Sequence, residues 1–391
     1  MYLGCQLRSD SSCHIYSPRS SIDSRVVVIQ RDEKQGLTEE ITKFNLGDQT
    51  SDVPYRMKLH PSGSALVVTN ALGGIKVVRI DRKEGEALPA LTAPLPAVAK
   101  AAEKCSFVGT IKSLSFSSDG TRMALGADDG KVHIMSWPAL DKKGVIDVTK
   151  TTTKGIRNLD FSAAHDDRLI LVVDEWGSCF LYDVDKLKLM GELEKPVDMP
   201  RMKLFRVVSG VEGKVNVLYG VGNCNKLGYA LRWKQVAENE GLREDHGGET
   251  SLHFKLDKVS KALAPSPVCG CALSHDGSTL AVVTPDAEQA VFTTDTLKRI
   301  KFVKGAHMTF ATAVGYTEDD DAIVSVSADG SAVLTSLDNG SDIVIKMLIF
   351  ALIMALLALL VHLFGRETVK AQPEKTLDIV SILTNALRRL T

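Results

Sequence analysis

The chain has no excess of charge of either sign. Its 391 residues carry 47 Lys and Arg against 48 Asp and Glu, a net charge of −1. That balance, spread along the chain, gives no drive toward a phosphate backbone, so nucleic acid is not an expected partner. The N-terminus lacks the charged-then-apolar profile of a secretory signal. The 7 cysteines are odd in number and scattered, at Cys5, Cys13, Cys105, Cys179, Cys224, Cys269 and Cys271. Together these absences predict a chain whose bulk is cytosolic and whose thiols are reduced.

Catalytic signatures are missing too. The chain contains no HExxH, no Walker A loop and no nucleophile elbow. The string GVGNCNKLG from Gly220 has two glycines of a dinucleotide fingerprint but Asn225 in place of the third, with strands on both sides and no helix to follow, so it reads as a β-turn. Cys269-x-Cys271 puts two thiols on one face of a strand with no second Cys or His pair in register, which predicts core cysteines rather than a zinc site. No metal site is expected. A soluble propeller hydrolase, lacking any catalytic set, is therefore disfavoured.

One long apolar run is present. From Ile343 to Phe364 the sequence IVIKMLIFALIMALLALLVHLF is interrupted only by Lys346 and His362. That is the length of a membrane span, and Lys346 is near enough to one end to snorkel. The run predicts a single C-terminal transmembrane helix, followed by a tail over 365–391. Arg366, Lys370 and Lys375 follow the helix closely, but the positive-inside rule weakens for large domains. The expected topology therefore places the N-terminal side in the cytosol and the tail in the lumen.

Before the span the sequence repeats. Copies of three short strands rich in Val, Ile, Leu and Phe, parted by Gly, Asp and Ser turns, start at Arg56, Ile111, Ile156, Val268 and Ala311, with a less regular copy at Met202. The first and second turns lie about ten residues apart: Gly63 and Gly73, Gly120 and Gly130, Asp167 and Gly177, Asp321 and Gly330. Copies recur every 44 to 64 residues, the period of a four-stranded propeller blade with loops of variable length. Six copies are visible, and the stretch Ser24 to Asn45 supplies strand for a seventh that the two ends of the chain would close together.

The expected fold is all-β, a seven-bladed WD-type β-propeller over 24–342, preceded by a divergent segment over 1–23. The WD dipeptide survives in part as Ser136-Trp137, Tyr182-Asp183, Arg232-Trp233 and Leu337-Asp338. Two insertions, Lys83 to Gly109 and Ala237 to Pro265, read as loops or a short helix. His133, His275 and His307 are expected to stabilise blades, and Asp119, Asp129, Asp276 and Asp329 to shape turns. A propeller without an internal site works through its faces as a docking platform.

Several strings carry a family resemblance: DVPYRMKLHPSG from Asp52, ADDG from Ala127 followed by VHIMSWP from Val132, and KGAH from Lys304. With the propeller and the C-terminal span, they make the chain similar to the endoplasmic-reticulum exchange factors of the Sec-twelve / prolactin regulatory element-binding protein family, closest to the plant branch. The resemblance implies a guanine-nucleotide exchange factor at the endoplasmic-reticulum membrane, activating the small GTPase of the COPII coat without bond-breaking catalysis. Exchange is differential binding, in which a factor that prefers the nucleotide-free GTPase weakens nucleotide affinity by the same ratio.

The family carries in its first blade a glycine-rich loop ending Gly-Ile-x-Asn that holds a potassium ion and presses on the GTPase. At the matching place this chain has Cys13 to Ser24. Ile22 stands at the GTPase-contacting position, Ser21 and Ser24 replace the Gly and Asn, and no glycine lies between Gly4 and Gly36. A carbonyl cradle for a cation needs positive φ angles, so the ion is expected to be lost and no cofactor is expected. Three readings remain open: an alternative first exon on a true exchange factor, a divergent loop that still works, or a relative that has lost exchange. The last would serve as an accessory factor for the exit of membrane cargo, such as a transporter, from the endoplasmic reticulum.

Overall fold

The computed structural model describes residues 3–6, 11–16, 24–32, 36–47, 54–71, 73–81, 90–105, 109–212, 215–236, 252–263 and 266–337. Over this unit every sheet is an antiparallel meander. The first comprises β1 (Leu3–Gln6), β2 (Ser11–Tyr16), β3 (Ser24–Asp32) and β4 (Gly36–Gly47). The second is β5 (Pro54–Leu59), β6 (Ala65–Asn70), β7 (Ile75–Asp81) and β8 (Ala90–Thr92). After helix α1 (Pro96–Glu103) comes the third sheet, β9 (Ile111–Phe116), β10 (Arg122–Ala127), β11 (Lys131–Ser136) and β12 (Lys142–Asp147).

The fourth sheet is β13 (Ile156–Phe161), β14 (Leu169–Asp174), β15 (Cys179–Asp183) and β16 (Lys188–Glu192). The fifth is β17 (Lys203–Glu212), β18 (Val215–Cys224), β19 (Leu227–Gln235) and β20 (Phe254–Val259). The sixth is β21 (Gly270–Leu273), β22 (Thr279–Val283), β23 (Gln289–Thr293) and β24 (Arg299–Val303). The last has β25 (Ala311–Tyr316), β26 (Ala322–Ser327) and β27 (Ala332–Ser336). Consecutive first strands are neighbours, and β1 lies beside both β5 and β25. The all-β propeller architecture is thus as expected.

The blade count needs correction. Where seven complete blades are expected, six sheets have four strands and the last has three among the described residues. The N-terminal sheet is not closed by the two ends of the chain: its outermost strand is β4, paired with β3 from Ser24↔Gly47 to Asp32↔Gly36. Residues 3–6 and 11–16, within the segment read as divergent, form its first two strands. The candidate span 343–364 and the tail lie outside the described residues. Among the described residues no helix is long and apolar enough to cross a membrane.

The ten-residue step has a backbone cause. Left-handed φ angles recur at Gly63 and Gly73, Gly120 and Gly130, Asp167 and Gly177, Gly277 and Ala287, and Asp320 and Gly330. Each pair brackets one strand, and the last pair begins at Asp320 rather than Asp321. Two of these positions admit only glycine. A Cβ on Gly177 would meet the Lys203 Cα and Leu204 N at 2.4 Å, and one on Gly73 would meet the Gly109 carbonyl oxygen at 2.8 Å. The Asn225-Lys226 pair, both left-handed, closes the two-residue hairpin between β18 and β19, so the glycine string from Gly220 is strand and turn as read.

Apolar side chains are buried between blades rather than within one. Val67, Ile75 and Val77 of the second sheet pack with Leu114, Met123 and Leu125 of the third, and Ala101, Ala102 and Cys105 of the α1 region join them. Leu171 and Leu181 meet Leu204, Leu218 and Trp233 in the same way across the next but one seam. Of the partial WD signatures, Trp233 is fully buried inside β19 and its indole N–H donates to the Glu194 carbonyl at 2.8 Å.

Candidate functional site

Two faces follow from the meander. On one, which we call the upper face, the turn between second and third strands meets the connection between sheets. The Leu204 amide donates to the Gly177 carbonyl at 3.0 Å, Glu175 N–H to Gly155 at 2.9 Å and Ala306 N–H to Ala287 at 3.0 Å. On the lower face, turns between first and second strands tie neighbouring blades. Asp167 accepts from the Ser118 amide at 2.6 Å, His60 Nε2 lies 2.9 Å from the Gly120 carbonyl, and Asp320 accepts from the amides of His275 and Asp276.

The upper face presents large apolar side chains to solvent. Trp176 is 58% exposed at the tip of the β14–β15 turn. The turn is fixed from beneath: the buried Asp174 carboxylate accepts from Ser178 N–H at 2.9 Å and from the Thr152 hydroxyl at 2.8 Å. Lys154 and Lys203 place their ammonium groups 5.1 and 5.8 Å from the centre of the indole. Val197 and Met308, at 97% and 95%, are almost wholly exposed on connections between sheets. Phe310 is half exposed just before β25.

The segment carrying Met308 is held by His307. This buried ring has Ser331 Oγ 2.6 Å from Nδ1 and Ser325 Oγ 2.6 Å from Nε2, and Gln289 donates to the same Ser325 at 2.6 Å. Burial keeps its pKa below the ordinary value, with Asp329 opposing. His307 is therefore a structural histidine, as expected. His275 instead lies on a lower-face turn, its Nδ1 2.9 Å from Asp320 Oδ1. The four turn aspartates do cap turns: Asp119 accepts from Thr121 N–H, Asp129 from Lys131 N–H, Asp276 from Ser278 N–H and Asp329 from Ser331 N–H.

The β2–β3 connection, in which Ile22 falls, lies outside the described residues. Its ends are placed: Tyr16 pairs with Arg25, and Ser24 with Gly47, at the end of the sheet where second strand hands over to third. That is the upper face. Ser24 is the first residue of β3 and lies in the ladder, paired with Gly47. Among the described residues no three of His, Cys, Asp and Glu converge as a metal site. Cys269 and Cys271 are free thiols pushed up by burial to about 12 and about 11.

A second feature is the central channel, of about 640 Å³, walled by first strands of six sheets. Bulges recur near the start of β5, β13, β17 and β25, and the residues after them, Arg56, Asn158, Arg206 and Ala313, face the channel. Arg206 Nε donates to Asp160 Oδ2 at 2.8 Å and its Nη1 to the Cys271 carbonyl at 3.0 Å. Lys58 Nζ lies 3.5 Å from the other Asp160 oxygen. Burial alone would raise the Asp160 pKa, but Arg206 and Lys58 outweigh it and hold it below the ordinary range.

Neither the exposed tryptophan nor the channel cations follow from sequence. Trp176 does leave a trace: it stands just before Gly177, where three sister copies carry Asp129, Asp286 and Asp329.

No family model matches the chain. It is similar to SEC12-like protein 2 of Arabidopsis thaliana, 24% identical over 342 residues that make up 83% of this chain and 75% of that protein. It is also similar to SEC12-like protein 1 of the same plant, 26% identical over 234 residues, 57% of this chain and 55% of that protein. Similarity reaching across the blades, over strings already like those of the family, makes this chain similar to the plant SEC12-like proteins.

Proposed function

We infer that the protein is an exchange-factor-like docking platform for the small GTPase of the COPII coat, held at the endoplasmic-reticulum membrane for vesicle budding toward the Golgi. In this reading the three-stranded last sheet completes a ring of seven blades, and residues 343–364 are the single span, with the propeller cytosolic and the tail lumenal. The observation that carries it is the upper face: Trp176, Val197, Met308 and Phe310 are exposed on the face at which second strands hand over to third. Rigid, exposed aromatic and Met side chains are the usual anchors of protein interfaces. The reaction requires no bond-breaking group, only tighter binding of the nucleotide-free GTPase.

A second reading, an accessory factor for exit of membrane cargo that accelerates nothing, is favoured by one observation. Ser24 lies in the β3 ladder, and residues 5–35 contain no glycine to build the family's cation cradle. Both readings share the face and differ in rate.

The test uses the full chain in vesicles. We expect it to bind nucleotide-free GTPase in preference to the GDP form, and Trp176→Ala to weaken that binding about tenfold or more. Stopped-flow exchange should be slow, and a graft of a Gly-Ile-x-Asn loop in place of Cys13 to Ser24 should accelerate it in a potassium-dependent way. Equal affinity for both nucleotide states would refute a role in exchange. Protease added outside sealed microsomes should spare a tag on Thr391; its digestion would refute the topology.

A further inference from the structure

The propeller channel carries more cation than its walls neutralise. Among the described residues its lining holds Arg56, Lys58 and Arg206 against one carboxylate, Asp160, an excess of positive charge. Buried charge normally has a counter-charge within reach. Asp160 can serve Arg206 at 2.8 Å and Lys58 at 3.5 Å, but among the described residues no carboxylate pairs with Arg56. Its Nε and Nη1 donate to the carbonyls of Lys112 and Tyr55, at 3.1 and 3.4 Å. Burial, and secondarily the charge of Arg206, hold the Arg56 guanidinium below its ordinary pKa.

Two arginines and a lysine around one open space are the donors that recognise phosphate, the guanidinium as a planar fork and the ammonium as a point charge. The walls hold them stiffly, because each arginine follows a β-bulge that turns its side chain into the channel. Ser113 and Asn158 on the intervening strands, 3.4 Å apart, add neutral polar groups to the same wall. At about 640 Å³ the space exceeds one phosphate group and suits a small organic polyphosphate.

We propose that the central channel is a binding site for a small polyphosphate-bearing compound, held by Arg56, Lys58 and Arg206. Phe310 of the upper face also lines the channel, but the site does not depend on the GTPase reading. Asp160 positions Arg206 and Lys58 and keeps the empty channel from carrying three unopposed charges.

The experiment is calorimetry on the full chain in uncharged nanodiscs, with inorganic tripolyphosphate as the probe at 150 mM salt, about one Debye length of 8 Å. One tripolyphosphate should bind per chain. Arg56→Gln and Lys58→Gln should each weaken it about tenfold or more, whereas Lys154→Gln and Lys203→Gln, on the upper face, should leave it unchanged. Lys58 is half-exposed, so Lys58→Gln keeps the test valid even should Arg56→Gln fold poorly. Tripolyphosphate should also raise the melting temperature of the parent chain and not that of the Arg56→Gln/Lys58→Gln pair. Vesicles bearing phosphoinositide headgroups, added as competitor, separate the sources: displacement assigns the phosphate to a lipid, its failure to a soluble compound. No heat, or equal binding by the double variant, would overturn the proposal.

Discussion

Asp160→Asn is the sharpest perturbation of the channel. The carboxylate is 10% exposed and meets Arg206 at 2.8 Å, Lys58 at 3.5 Å and the Ser115 hydroxyl at 3.3 Å. Removing one partner of a buried ion pair costs about 3–5 kcal/mol, because the other charge is left uncompensated. Arg206 keeps its bond to the Cys271 carbonyl, and its side chain is 26% exposed, so water recovers part of the loss. We therefore expect about 3 kcal/mol, seen as a lower urea midpoint at unchanged slope and a fall in melting temperature of roughly 5–10 °C. Adding Arg206→Met should return most of it, since an apolar pair of similar shape replaces an ion pair at little cost. Adding tripolyphosphate should stabilise the single variant more than the parent. A midpoint for Asp160→Asn within about 0.5 kcal/mol of the parent, with no rescue, would refute the account of a charge-frustrated channel.

Two further outcomes can be stated. Gly177→Ala, at φ +76° and with backbone atoms 2.4 Å from the new Cβ, should cost at least about 2 kcal/mol in urea unfolding, while Gly277→Ala, with open space around it, should cost about 1. Stability should fall in two stages on acidification. Burial lowers the pKa of His133, His165 and His307, so their neutral forms stabilise the fold above about pH 6.5, the unfolded value, and that contribution is lost as pH drops below it. Asp119, held at about 2 by the Ser117 hydroxyl and the Thr121 amide, and Asp329, at about 2 where Ser331 outweighs partial burial, contribute above about pH 4 and lose it toward pH 2. Urea midpoints measured across pH 8 to 2 check both stages; a flat profile from 6.5 to 4 would remove the histidine stage.

What the sequence made legible was the part of the fold under backbone constraint. Left-handed turn positions select Gly, Asp and Asn, so the ten-residue step showed in the letters, and Ala287, in the same conformation without that preference, is where the pattern broke. Fourth strands were hidden. KKGVID of β12 and RIKFV of β24 are charged and exposed on the outer edge, so they carry no clean alternation. Two of them, β8 and β20, lie inside stretches that read as insertions. The channel was illegible for another reason: bulges at Tyr55 and Phe205 shift the two-residue alternation by one, and only the folded ring brings Arg56, Arg206 and Asp160 together. Of the two site residues read from sequence, Ser24 is placed by its backbone and Ile22 falls outside the described residues.

The lower-face ties give the ring a property of a hoop. Asp167 grips the Ser118 amide, His60 the Gly120 carbonyl and Asp320 the turn at His275, each crossing from one sheet to the next. A load applied to one blade is therefore shared sideways through carboxylates and imidazole as well as along the chain. Opening one such seam releases a single clasp while its neighbours stay fastened, so the propeller should breathe seam by seam. Amide exchange at Ser118 and Asp276 would then report the clasps individually, well before the ring as a whole comes apart.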